Sequence, residues 1–108
     1  MDKKDVAAGV AFGALIGALA GVLLAPKSGK ETREDLTKFV EGTKTKLAKK
    51  VHEVKDLTKN EYERLVDIAV EEGAPTMKIA KEDVEQLRKD LKERYEAVSK
   101  RLKEHGSK

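Results

Sequence analysis

The chain has 108 residues and a mass of 11.9 kDa, the size of one small domain. Charged residues make up 40% of it, yet residues 6–25 carry no charge, so the rest of the chain is close to half charged. This separation excludes an ordinary globular enzyme, whose apolar residues are distributed around a central core. The lack of cysteine excludes disulfide frameworks, thiolate zinc sites and iron–sulfur clusters.

A short N-terminus, residues 1–5, precedes the apolar segment, residues 6–25. As a helix, this segment is about 30 Å long, the thickness of the hydrocarbon core of a bilayer. We therefore predict an N-terminal transmembrane helix that is rich in Gly and Ala and ends at Pro26. Two alternatives remain. Lys3, Lys4 and the Ala18–Ala20 pattern also fit a cleaved secretory signal, and the segment also fits a helix buried in a soluble oligomer.

Glycines recur at every fourth position of the apolar segment, which places them on one helix face. They are Gly9, Gly13, Gly17 and Gly21. The opposite face is a leucine-rich ridge suited to lipid, which comprises Ala11, Leu15, Leu19 and Leu23. Small residues allow close approach of helix backbones in a bilayer, so the glycine face is predicted to be a helix–helix interface of a homo-oligomer.

Basic residues are more frequent after the apolar segment than before it, which predicts an external N-terminus and a cytoplasmic tail. The expected location is the cytoplasmic (inner) membrane, with a single pass. Residues 27–59 carry a net charge of +4, which favours contact with an anionic leaflet. The predicted membrane-surface contacts are Lys27, Lys30, Arg33 and Lys38.

The tail is predicted to form long amphipathic, highly charged helices, so the fold class is all-α. One helix is expected over 26–72, then a break at 73–75 within a turn at 73–76, and a C-terminal helix over 77–105. Ser28 with Glu31 predicts a capped helix start, and Thr58 with Glu61 allows a kink near residue 57. Gly73 is placed as a C-terminal cap.

Apolar residues follow an eleven-residue repeat along these helices and predict a narrow packing stripe. The predicted stripe comprises Leu36, Val40, Leu47, Val51, Val54, Tyr62, Leu65, Val84, Leu87, Leu91, Tyr95, Val98 and Leu102. Such a tail either folds back as a hairpin at 73–75, packs against another copy or lies on a surface.

No arrangement of residues in the sequence predicts catalysis. The segment Lys27–Glu31 differs from a phosphate-binding loop at its first glycine and at its Ser/Thr position. His52 and His105 stand alone, so neither a metal site nor a cofactor site is expected. The tail has no acid-free basic cluster and no aromatic platform, so nucleic acid is not an expected partner.

Residues 17–33, GALAGVLLAPKSGKETR, resemble the signature of the YtxH-like family of small bacterial membrane proteins. These proteins are often labelled general stress or gas-vesicle-like proteins. The resemblance covers residues 5–50 and, beyond them, extends only to the character of the tail. It implies a bacterial single-pass membrane protein linked to stress, without established biochemical activity, and it carries over no catalytic residues.

We therefore predict a non-enzymatic, membrane-anchored helical protein that self-associates through its glycine face. Its expected partners are the lipid bilayer, another copy of the chain and a helical protein bound by the tail. The alternative is a stress-protective amphipathic protein whose tail folds on membrane surfaces.

Overall fold

The computed structural model describes residues 12–24, 33–73 and 79–105. Within these ranges the chain is all-α, without a strand. The described part of the first helix, α1, covers 12–19. It is followed by α2 (Arg33–His52), α3 (Lys59–Gly73), α4 (Lys81–Lys92) and α5 (Tyr95–His105).

The single helix predicted over 26–72 is wrong in extent, because α2 and α3 are separated by a turn and a non-helical segment at 53–58. The Thr58 hydroxyl accepts a hydrogen bond from the backbone N–H of Glu61 at 3.1 Å, which satisfies one free donor at the start of α3. The break therefore lies beside the capping pattern that allows a kink. The predicted cap at Ser28 and Glu31 lies outside the described residues.

The helix predicted over 77–105 is also divided, since a turn at 93–94 separates α4 from α5. The N–H of Arg94 donates to the carbonyl of Leu91 at 3.1 Å, and the carbonyl of Arg94 accepts from Val98 at 3.0 Å. The bond of Arg94 spans three residues instead of four, and the α-helical spacing returns with Val98, so the two helices are separated without glycine or proline. The predicted turn at 73–76 lies outside the described residues after Gly73, where α3 ends.

The predicted continuous helix over 6–25 is likewise wrong where the structure describes it. After α1 there is a turn at 20–21, and 22–24 are not helical. Leu15, Leu19 and Val22 lie in the protein core, because they pack against the apolar side of the tail rather than facing outward. Among the described residues, no helix is long and apolar enough to cross a membrane. Residues 6–11 and Ala25 lie outside the described ranges.

The tail helices surround a common core to which α1 contributes. The C-terminal end of α3 lies over the middle of α2, where Gly73 approaches Phe39 and Thr43. Helices α3 and α4 run antiparallel, since Tyr62 contacts Leu91 and residues further along α3 contact Arg88. Of the three arrangements considered for the tail, the folded-back one is therefore present.

Candidate packing and membrane-contact surfaces

The predicted packing stripe lies on the inner side of the tail helices. Nine of its residues are buried in the core: Leu36, Val40, Leu47, Val51, Tyr62, Leu65, Leu87, Leu91 and Val98. Four others are partly buried and pack against that core: Val54, Val84, Tyr95 and Leu102. The stripe is therefore brought together within one chain.

The core is wider than the predicted stripe. It also contains Phe39, Ala48, Val66, Ala69 and Val70. Phe39, Ala48 and Val66 each directly follow or precede a stripe residue, which is the pattern of a helix that buries a broad face against several neighbours. Counting adjacent apolar pairs in the sequence would have found these residues.

Tyr62 joins α3 to the last turn of α4. Its side chain is fully buried, its hydroxyl donates a hydrogen bond to the carbonyl of Leu91, and its ring lies 5.6 Å from the ring of Tyr95. Burial raises the pKa of the Tyr62 phenol well above its usual range, and the nearby charge of Arg94 opposes this only in part. The phenol is thus a neutral hydrogen-bond donor in the folded protein.

Ion pairs also connect α3 and α4, further along α3 than Tyr62. Arg88 Nη1 lies 2.7 Å from an Asp67 carboxylate oxygen, and Lys92 Nζ lies 3.1 Å from the same oxygen. Desolvation raises the pKa of the Asp67 carboxyl, but hydrogen bonds from Arg88 and Lys92 outweigh it, so the net pKa is lowered. Asp67 is therefore held ionised between two cations. These two ion pairs orient α4 along α3.

The predicted glycine face is exposed where the structure describes it. A Cβ atom added to Gly13 or Gly17 would meet nothing within 4 Å, so this side of α1 is open. Gly21 differs, because a Cβ there would lie 2.5 Å from a terminal nitrogen of Arg94. The Arg94 guanidinium therefore rests on the backbone of Gly21. Gly9 lies outside the described residues.

Two of the predicted membrane-surface residues, Lys27 and Lys30, lie outside the described residues. Arg33 and Lys38 are both exposed on α2. Lys38 Nζ forms an ion pair with Glu34 at 3.2 Å, one turn earlier on the same helix. Part of its charge is therefore already compensated.

The charged clefts on the surface of the described residues include two larger ones. One, of about 520 Å³, lies between α1 and α5 and is lined by Gly17, Ala18, Arg94, Ala97, Lys100, Arg101 and Glu104. The other, of about 380 Å³, lies between α3 and α4 and is lined by Lys59, Glu63, Glu85, Arg88, Lys89, Lys92 and Glu93. The sequence did not indicate the first cleft, because its two sides are more than seventy positions apart in the chain.

The described residues contain no group of three His, Asp or Glu side chains that could hold a metal ion. His52 is half-buried at the end of α2.

The sequence model of the family described as YtxH-like protein matches residues 7–103. This chain belongs to the YtxH-like family. The match covers nearly the whole chain and extends into α5, well beyond the range of about 5–50 that the sequence resemblance covers. The comparison finds no match among curated proteins and none among solved structures. The YtxH-like assignment therefore rests on the family match together with the all-helical fold.

Proposed function

We propose that this YtxH-like protein is a non-enzymatic helical protein of the bacterial inner membrane, anchored through its apolar segment and linked to stress. The two-sided environment of α1 carries this proposal. The leucine side, with Leu15 and Leu19, is buried on the tail, whereas the glycine side faces outward. In water the leucine side is protected by the tail. In a bilayer, lipid replaces the tail as its apolar surroundings.

The length and composition of the apolar segment support an anchored state. Twenty residues without a charge are long enough to cross the hydrocarbon core as a helix. The excess of basic residues after the segment favours a cytoplasmic tail with the N-terminus outside. In the anchored state, α1 leaves the core of the tail and forms part of a helix that spans the bilayer.

Self-association through the glycine face is the second part of the proposal. Small residues allow two helices to approach closely, and the open space beside Gly13 and Gly17 leaves that face available to a second copy. The alternative is a tail that folds only on a lipid surface. The core is less consistent with it, because the apolar stripe of the tail is already buried within the chain.

An alkaline carbonate wash of membranes that contain the full chain tests the anchor. We expect the chain to stay in the membrane pellet at its full mass. Release at full length would mean that α1 remains packed on the tail, and release as a shortened chain would mean that the segment is a cleaved signal. Either result contradicts the anchored state.

Crosslinking in membranes tests the glycine face. The variant G13L/G17L should lose crosslinked dimers, since leucine keeps the two helices apart. Both glycines have open space in the folded chain, so the variant leaves the packing of α1 intact. Gly42→Leu is the matched control, because Gly42 also has nothing within 4 Å but lies on α2. Unchanged dimers in G13L/G17L would overturn the proposed interface.

A further inference from the structure

The cleft between α1 and α5 combines charge with the apolar segment. Three cationic side chains line it, Arg94, Lys100 and Arg101, together with one carboxylate, Glu104. Asp90 and Glu93 lie on the α4 side of Arg94, around a smaller cleft next to Gly21 and Leu23. The charged residues that line the α1–α5 cleft therefore sum to +2 when Arg94, which both clefts share, is counted with them.

The three cations of this cleft are available to a ligand. Among the residues that the structure describes, no carboxylate forms an ion pair with Arg94, Lys100 or Arg101. The cleft between α3 and α4 differs, since its Arg88 and Lys92 are already bound to Asp67. It also has three carboxylates among its lining residues. Of the two larger clefts in the described ranges, the α1–α5 cleft is thus the one in which no lining cation forms an ion pair with a carboxylate.

Exposed apolar residues lie on the α1 side of Arg94, where Leu23 lines the smaller cleft together with Arg94 and two carboxylates. Gly13 and Gly17 are exposed along α1, and Leu23, which follows the turn after α1, is 73% exposed. A cationic cleft beside exposed apolar surface is the combination that binds the interface of an anionic bilayer, where phosphates lie directly above acyl chains. A soluble anion would bind the cations alone and would make no apolar contact with Leu23.

We propose that the α1–α5 cleft docks the folded chain onto an anionic phospholipid bilayer. Arg94, Lys100 and Arg101 donate charge-assisted hydrogen bonds to headgroup phosphates, while Leu23 and the glycine side of α1 lie at the boundary of the acyl chains. This docking rests on the proposed membrane function and concerns the folded state that precedes insertion. It places the apolar segment against lipid while its leucine side is still covered by the tail.

Flotation of the full chain with vesicles tests the docking. The vesicles are phosphatidylcholine alone, or phosphatidylcholine with an equal part of phosphatidylglycerol. The cleft variant is R94Q/K100Q/R101Q. The control, K46Q/K49Q/K55Q, removes the same charge from exposed lysines of α2 and the segment after it. Circular dichroism verifies that both variants keep the helical content of the original chain.

We expect the original chain to float with the anionic vesicles and not with the neutral ones, and added salt to release it. The cleft variant should partition about 30- to 100-fold more weakly, and the control less than about 3-fold more weakly. Equal losses in both variants would show a general charge effect and overturn the docking cleft. No flotation of the original chain with anionic vesicles would overturn it as well.

Failure of docking and failure of anchoring give different results. Docking is reversed by salt, whereas an anchored helix resists carbonate. If the chain resists carbonate and the cleft variant binds vesicles as well as the original chain does, the anchor is supported and the docking cleft is overturned. Salt-sensitive, cleft-dependent binding without carbonate resistance would support the cleft and overturn the anchor.

Discussion

Gly73, the last residue of α3, packs closely against α2. A Cβ atom there would lie 3.2 Å from Thr43 Oγ1 and 3.3 Å from Phe39 Cε1, and both of these side chains are buried. Its φ lies outside the left-handed region, so the cap predicted from the sequence is not the reason for glycine at this position. Close packing against α2 is the reason instead.

Gly73→Ala is therefore expected to destabilise the fold by about 1 kcal/mol, because crowding of a tight core outweighs the better helix propensity of alanine. Gly42 is the matched control, since it lies within α2 with nothing within 4 Å. Gly42→Ala should stabilise the fold by about 0.5–1 kcal/mol. Urea unfolding followed by circular dichroism measures both changes. A stabilised Gly73→Ala variant would show that α2 and α3 are not in close contact at this point.

At the scale of helices, Tyr62 joins α3 to α4 and makes this contact sensitive to alkali. The pKa of the phenol is raised in the folded state, so the unfolded chain, with an ordinary pKa of about 10, releases its proton first. Below pH 10 both states hold the proton and stability is unaffected. Above it the unfolded state binds fewer protons, so the free energy of unfolding falls by up to about 1.4 kcal/mol per pH unit.

Tyr62→Phe should remove this additional alkaline loss, while costing about 0.5–1.5 kcal/mol at neutral pH through the lost hydrogen bond to Leu91. Tyr95→Phe is the control, since Tyr95 is only partly buried and its hydroxyl lies 3.5 Å from the Leu57 carbonyl. Unfolding curves measured on both sides of pH 10 separate the two tyrosines. Equal slopes for the original chain and Tyr62→Phe would contradict a buried, neutral phenol.

The eleven-residue pattern predicted which face of each tail helix is buried, because apolar residues must leave water wherever their partner is. The pattern could not predict which helix each buried face packs against. The turn at 93–94 has no glycine or proline to indicate it, so α4 and α5 were predicted as one helix. The helix break before Thr58 is marked by a capping residue and could be predicted to within a few positions.

At the scale of the whole molecule, the environment of α1 could not be derived from its sequence. The segment has the length and hydropathy of a spanning helix, and both lipid and the tail core offer its leucines an apolar environment. The choice depends on the tail, whose inner face forms only when four helices come together. For the same reason the cations of α5 were not predicted to lie beside α1, although the charge of each segment was known.

Two leucines of the predicted ridge distinguish the packed state from a spanning state. Leu19 is 1% exposed and Leu23 is 73% exposed, although they are four residues apart and would share one face of a continuous helix. In water, Leu19→Ala should reduce the free energy of unfolding by about 2–4 kcal/mol, since it leaves a cavity in the core. Leu23→Ala should change it by less than about 0.5 kcal/mol.

The two substitutions should have equal effects on the free energy of unfolding once the segment spans a bilayer. There both side chains face lipid, and the tail no longer contacts Leu19. Unfolding of the tail by urea, measured in solution and again after reconstitution into vesicles, compares the two states. We expect the difference between Leu19→Ala and Leu23→Ala to be large in solution and to disappear in vesicles. Small and equal effects in solution would contradict the packing of α1 on the tail. A difference that persists unchanged in vesicles would mean that the chain binds lipid without releasing α1, and that the docked state is the final one.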